Sequence, residues 1–324
     1  MSGQHALPGT TLPAENAAVT RRITTYSVVV AALLIAMKTA AWLASGSVAV
    51  LSSLADSALD LVASLITFWA VRYAAVPPDA EHRFGHGKAE AVASLVQAAL
   101  VFASAALVGR EAVTRLLDPA PIQHEGWAVA VMAGSILLTG LLVAAQTRAL
   151  RSTGSVAVAG DRAHYFADLT SNGAALLGVA GAAWLGVPVL DAVAGLFVAV
   201  WLVWGAIGVF REAVDHLLDR GLPPEARARI VELATADPAV KGVHQLRTRV
   251  SGPYIMVQMH ADLDPTLTLE AAHEIMVGAE NRILAEFPAA DILIHPDPRG
   301  RATPHGGAFG EPVAAHRAGA DPET

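Results

Sequence analysis

The chain has no cysteine among its 324 residues. Disulfides and thiolate metal ligation are therefore excluded, and any bound metal must rest on histidine and carboxylate. Charged residues are scarce at 16% and aromatic residues at 6%. Catalytic signatures are missing too: there is no Gly-rich phosphate loop and no nucleophile with an adjacent base, which argues against an enzyme. No basic patch with interleaved aromatics is present, and the formal net charge of -7 points away from nucleic acid as a partner. What is plentiful is apolar. Hydrophobic residues make up 54% of the chain and the mean hydropathy is +0.47, too apolar for an ordinary soluble protein and characteristic of a membrane protein.

Apolar runs fall at roughly 24–46, 47–72, 89–112, 127–147, 164–185 and 188–210, each near the ~20 residues that a bilayer crossing needs. Six transmembrane helices are expected. The first is too long for a signal peptide and is followed by further spans, so it stays in the mature chain. Arg21, Arg22, Arg72, Arg83, Lys88, Arg148, Arg151 and Arg162 would lie on one side, against Arg110 and Arg115 on the other. The positive-inside rule then puts the first set, and both termini, in the cytoplasm.

Within the second run, Ser47 to Arg72, stand two carboxylates, Asp56 and Asp60. A carboxylate at bilayer depth costs several kcal/mol on most scales, so it needs a partner and marks a functional site. The partner lies further along, where His164-Tyr165-Phe166-Ala167-Asp168 opens another apolar stretch. Asp56 and Asp60, like His164 and Asp168, are spaced to project from one face of a helix, one turn apart. Brought together they form an oxygen and nitrogen set suited to a borderline divalent ion, zinc first. From spacing alone the alternative stays open: Asp56 and Asp60 as hydrogen-bonding groups within a helix bundle. Lys38 in the first span is read as snorkelling to an interface rather than as a countercharge.

After Arg72 the loop Pro77-Pro78-Asp79-Ala80-Glu81-His82-Arg83-Phe84-Gly85-His86-Gly87-Lys88 is turn-rich rather than helical. Asp79, His82 and His86 suffice for a modest zinc site with water in the fourth position. A solvated loop with idle imidazoles is the equal alternative. Gly46-Ser47 is a very short turn that makes the first two helices antiparallel neighbours. The outer loop Asp118-Pro119-Ala120-Pro121 offers no chemistry.

From Glu212 the composition turns soluble. A helix from Pro223-Pro224-Glu225 to about Ala236, strands Val243–Val250 and Tyr254–Leu263 about Ser251-Gly252-Pro253, a helix Leu269–Phe287 and a strand Ile292–His295 give the order αββαβ. A two-layer α+β domain follows. It carries His244, His260, His273, His295 and Asp297, and Asp297 is placed to bridge two ions; isolated histidines on a small domain are also common as plain surface residues. The full organisation expected is a disordered 1–20, a six-helix transmembrane domain 21–212, a cytoplasmic domain 213–298 and a disordered tail 299–324.

Taken together, Leu54-Ala55-Asp56-Ser57-Ala58-Leu59-Asp60, His82-Arg83-Phe84-Gly85-His86-Gly87-Lys88-Ala89-Glu90, His164-Tyr165-Phe166-Ala167-Asp168, Leu217-Leu218-Asp219-Arg220-Gly221-Leu222-Pro223 and Ile294-His295-Pro296-Asp297-Pro298 resemble the cation diffusion facilitator family, in its bacterial zinc and iron efflux branch of dimeric metal/proton antiporters. The resemblance implies a transport site on Asp56, Asp60, His164 and Asp168, and a loop site on Asp79, His82 and His86. It also implies a binuclear cytoplasmic site on His244, His260, His273, His295 and Asp297 in a ferredoxin-like, metallochaperone-like dimerisation domain, and a charge interlock between Lys88 and Asp219. Pro296 departs from the branch, whose members often carry Gln there; proline removes a backbone donor.

The expectation is a homodimeric, multi-pass transporter of the bacterial inner membrane exchanging Zn2+ for protons by alternating access, with membrane lipid around it, zinc as cargo and structural ion, and no organic cofactor. Metal and protons compete for the same lone pairs, and His164 is the group titrating nearest physiological pH. Export chiefly of Fe2+, Cd2+, Co2+ or Mn2+ is the nearest alternative. A membrane-anchored metal sensor is another, disfavoured because an anchor has no use for Asp56 or Asp168.

Overall fold

Long runs of Ala, Leu and Val make helices wherever the backbone must satisfy its own hydrogen bonds in lipid. In the computed structural model, which describes residues 7–45, 48–117, 126–185 and 189–301, these runs form α1 (Pro13–Ser45), α2 (Val48–Ala74), α3 (Ala89–Leu117), α4 (Gly126–Thr153), α5 (Val156–Leu185) and α6 (Val189–Leu217). Five of the six, all but α5, are long and apolar enough to cross a membrane over their described residues. The fifth run also becomes one continuous helix. The helices outrun the apolar windows because polar residues at their ends, such as Arg151 and Arg72, still extend a helix beyond the hydrocarbon. The start of α5 at Val156 brings Asp161 inside the helix.

The burial pattern is that of a bundle in lipid. Small residues occupy the contacts, including Ala31, Ala63, Ala98, Ala157 and Ala206, while Leu59, Trp69, Leu107, Phe197 and Trp204 face outward. Small residues let helix backbones approach closely. At Gly160 an added Cβ would sit 2.9 Å from Ser94 Oγ and 3.1 Å from Gln97 Cβ, so α3 lies tight against α5 there. The first turn of α5 is capped by Ser155, whose Oγ accepts from Val158 N at 3.3 Å and donates to Glu90 Oε2 at 2.5 Å. A buried carboxylate at a helix N-terminus complements the helix dipole.

A second compact unit runs from Asp219 onward and includes Leu7–Leu12. Its elements are α7 (Pro224–Ala234), β1 (Gly242–Ser251), β2 (Tyr254–Leu263), α8 (Leu269–Glu286) and β3 (Ala290–Pro298), in sheet order β1-β2-β3. The αββαβ order is as expected, and β2 pairs parallel to β3 through the α8 crossover. Alternation decides the faces. Ile255, Val257, Met259, Ala261 and Leu263 of β2 enter the core with Ala226, Ile230 and Ala234 of α7, Met276, Ala279 and Ile283 of α8, and Phe287. His260 and Asp262 must then lie on the opposite face. Arg229 of α7 grips Glu286 of α8 through paired bonds of 2.9 and 2.7 Å, and this partner holds the Glu286 carboxyl below its ordinary range.

The expected lack of structure over residues 7–20 is corrected. Helix α1 begins at Pro13, and Leu7 packs on the core of the second unit. Gly9 accepts from Ala289 N at 3.2 Å, and its φ of +86° with Ile255 Cδ1 only 2.5 Å from an added Cβ explains why glycine stands there. Strand β3 is longer than Ile292–His295 because it pairs with β2 along its whole length, from Ala290 to Pro298. Pro296 falls in an edge strand among the described strands, a place that tolerates a missing N–H. Residues 1–6, the turn at 46–47, the loop 118–121 and the tail from 302 lie outside the described residues.

Candidate metal centres

The transport candidates meet where α2 and α5 face each other. His164 Nε2 lies 3.1 Å from Asp60 Oδ1 and 3.7 Å from Asp168 Oδ2, and donor atoms of the three residues all fall within 4.8 Å of one another. Helical spacing stacks His164 and Asp168 on one face of α5; Asp60 comes from α2. His164 is buried, and both its Nδ1 and Asp168 Oδ2 are buried without a hydrogen-bond partner. Orphaned polar atoms beside two carboxylates are the mark of a site shaped for a cation. Asp56 is not brought into this set: it sits exposed one turn earlier on α2.

Lys38 overturns its expected reading. It is buried rather than snorkelling, with Nζ donating to Ser57 Oγ at 2.6 Å and to Ser53 O at 3.0 Å. The side chain crosses from α1 to the α2 turn from Ser53 to Ser57, which carries Asp56. A carbonyl and a hydroxyl within reach of Nζ hold it inside the bundle.

The irregular segment after α2 gathers its own ligands. Asp79 Oδ1 accepts from His82 N at 2.7 Å and Glu81 N at 2.9 Å. Its other oxygen lies 3.3 Å from His86 Nε2, and His82 Nδ1 is 3.5 Å from Oδ1. The His82 backbone N–H holds the Asp79 carboxyl below its ordinary range, so it keeps the anionic form a metal requires into more acidic solution. His86 is buried against Tyr73, and its Nδ1 lies 3.3 Å from Val76 O. A backbone carbonyl on one ring nitrogen fixes the tautomer and frees the other for a metal.

On the sheet face away from the core, Asp297 is 4% exposed and draws three imidazoles: His260 Nδ1 at 2.8 Å, His244 Nε2 at 3.3 Å and His295 Nε2 at 3.4 Å. The β2–β3 register puts His260 beside His295 and Asp262 beside Asp297. A buried carboxylate with imidazoles on both oxygens fits one or two zinc ions. His273 is exposed on α8 and is not brought to this cluster. Asp262, 3.7 Å from His244, was not singled out from the sequence; its position two residues past His260 on an alternating strand was the available signal.

His244 reaches this face through a local irregularity. Val243 and Leu246 both pack on the core, which strict alternation forbids. Gln245 between them has φ 51°, the left-handed conformation of a bulge that inserts one residue and resets the alternation. Zinc-dependent stabilisation of the protein, read as a shift in thermal midpoint, should fall in a His244→Ala variant toward that of an Asp297→Asn variant. Gln245→Gly should keep the shift, since glycine accepts that φ.

Lys88 Nζ donates to Leu217 O at 3.3 Å, and Asp219 Oδ2 accepts from Arg249 Nη1 at 3.0 Å.

Both parts of the chain are similar to known proteins. Residues 24–218 match the family described as cation efflux transmembrane domain, and residues 222–299 match the cation efflux protein cytoplasmic domain. The cation-efflux pump FieF of Cronobacter sakazakii is 40% identical over 269 residues, covering 83% of this chain and 89% of that protein. FieF of Serratia proteamaculans is 40% identical over 268 residues, with 83% and 89% covered. Among solved structures, one of CzrB in its Zn form is 30% identical, covering 26% of this chain and 98% of that one with a TM-score of 0.25. A nickel form of the MamM CTD is 31% identical, covering 24% and 99% with a TM-score of 0.23. With both halves of the chain matched and an oxygen and nitrogen donor set held between two of its membrane helices, the protein belongs to the cation diffusion facilitator family of divalent cation efflux transporters.

Proposed function

We propose that the protein exports Zn2+ from the cytoplasm in exchange for protons, as a homodimer in a bacterial inner membrane with both termini inside. The observation that supports this most is the meeting of Asp60, His164 and Asp168 inside the helix bundle. One imidazole among carboxylates suits zinc and the similarly borderline Fe2+ and Co2+, and admits the softer Cd2+, better than it suits Mn2+. Asp56 completes the set as fourth ligand when the helices rearrange, and alternating access carries the ion across.

Proton coupling follows from the ligands. Zinc needs ionised carboxylates and a neutral imidazole, so each ion bound displaces protons, and protons arriving from outside displace the ion. Asp79, His82 and His86 form a second metal site, and His244, His260, His295 and Asp297 a third, where zinc acts as structural ion and stabilises the assembled cytoplasmic unit by mass action. Lys88 and Asp219 supply the charge interlock.

The test is uptake into proteoliposomes across Zn2+, Fe2+, Cd2+, Co2+ and Mn2+ with an imposed pH gradient. Zinc should move fastest, and an acidic interior should accelerate its entry as protons leave. Uptake indifferent to the gradient would remove the antiport reading, and a different fastest ion would replace zinc.

A further inference from the structure

One helical turn before His164 on α5, the mechanism leaves a buried charge unused. Asp161 is 1% exposed and is held by uncharged donors from three other helices. Ser27 Oγ of α1 donates to its Oδ2 at 2.7 Å, Gln146 Nε2 of α4 to the same oxygen at 2.8 Å, and Gln97 Nε2 of α3 approaches Oδ1 at 3.4 Å. Each partner is placed to donate, an arrangement that suits the ionised carboxylate. Gln97 and Gln146 are both fully buried, and the oxygen of each amide has no hydrogen-bond partner.

Those two orphaned oxygens are the informative atoms. A buried amide that leaves its oxygen unpaired incurs a desolvation penalty, and a half-satisfied network makes sense if it serves a second state. When Asp161 takes a proton it becomes a donor and needs an acceptor. Rotating the Gln146 amide by half a turn offers Oε1 in place of Nε2 in nearly the same space, where it can accept from Asp161 and from the Ser27 hydroxyl; Gln97 stays as it is, held by the Ala63 carbonyl. The network thus has a matched arrangement for each protonation state. It also touches the transport helices: Gln97 Nε2 contacts Ala63 O at 3.0 Å and Thr67 Oγ1 at 2.9 Å on α2, while Tyr165, next to His164, bonds Ser64 of α2 at 2.6 Å.

We propose that Asp161 is a second proton-carrying site of the transport cycle, separate from the metal ligands, with the Gln146 amide as its two-position partner. This rests on the proton-exchange reading above. Ionised, Asp161 clamps α1, α3 and α4 onto α5; protonated, it loosens the clamp on the helix that carries His164 and Asp168. The ionisable groups facing it are Asp60 on α2 and His164 and Tyr165 on α5. From α1, α3 and α4 its partners are Ser27, Gln97 and Gln146, which do not titrate.

The test uses full-length protein in proteoliposomes with zinc as the probe. Asp161→Asn keeps the shape and removes the titration. It should bind zinc at equilibrium within about threefold of the parent, yet transport about tenfold more slowly, with fewer protons released per zinc and a flatter profile from about pH 6 to about pH 8. Asp161→Glu should restore the pH dependence. Parental rate and profile in Asp161→Asn would overturn the proposal, as would aggregation or lost zinc binding in both variants, which would reduce Asp161 to a packing role. A parent protein without proton coupling would bring down the antiport reading itself; a coupled parent with an unchanged Asp161→Asn brings down this inference alone.

Discussion

Asp60→Ala and Asp168→Ala are each expected to lower zinc transport by more than about 100-fold, beyond the loss usual for groups that only support a ligand, while the protein still folds. Asp60 Oδ1 and Asp168 Oδ2 flank His164 Nε2, so either truncation opens the four-donor set at its centre and leaves a position that water must fill around an ion that has to shed its water to cross. Folding should survive because neither carboxylate is fully buried, with side-chain exposures of 14% and 26%. Removing a carboxylate from a lipid-embedded helix also relieves a desolvation cost. Transport at half the parental rate or better in either variant would refute the assignment.

The second large effect belongs to His164→Asp. The change makes the site all-oxygen and more negative, which favours harder ions over zinc. Zinc transport should fall by about tenfold or more, manganese transport should rise relative to it, and the pH profile should move toward the carboxylate range. Measuring zinc, cadmium and manganese transport from about pH 6 to about pH 8 reads both outcomes. If the metal preference and the pH profile match the parent, His164 does not touch the ion, and the orphaned Nδ1 at this position has another cause.

Much of this architecture was legible because hydropathy and period carry it. Apolar runs marked the helices, and a carboxylate pair one turn apart in the second run could not be ignored. Strand alternation around His260 implied a face away from the core, which is where Asp297 and His295 were found. What stayed hidden was polarity without periodicity. Gln97 and Gln146 are neutral, fully buried and on separate helices, so no window finds them. Asp161 fell outside the apolar window that opened at His164, although helical spacing put it one turn from that residue. The Gln245 bulge has no glycine to announce it, since a non-glycine residue holds φ 51°. Leu7 and Gly9 lacked periodicity because they bind as a short strap, through one carbonyl and one apolar side chain, rather than as a regular element.

The central claim, that Asp60, His164 and Asp168 hold the ion that is moved, is tested most directly by X-ray absorption at the zinc edge. The protein would carry Asp79→Ala and Asp297→Ala, so that the loop and cytoplasmic clusters no longer compete. The account predicts one retained zinc per chain with a single imidazole nitrogen at about 2.0 Å and the remaining ligands oxygen, in tetrahedral geometry, and loss of that nitrogen in an added His164→Asp variant. No retained zinc, or a spectrum that His164→Asp leaves unchanged, would contradict it.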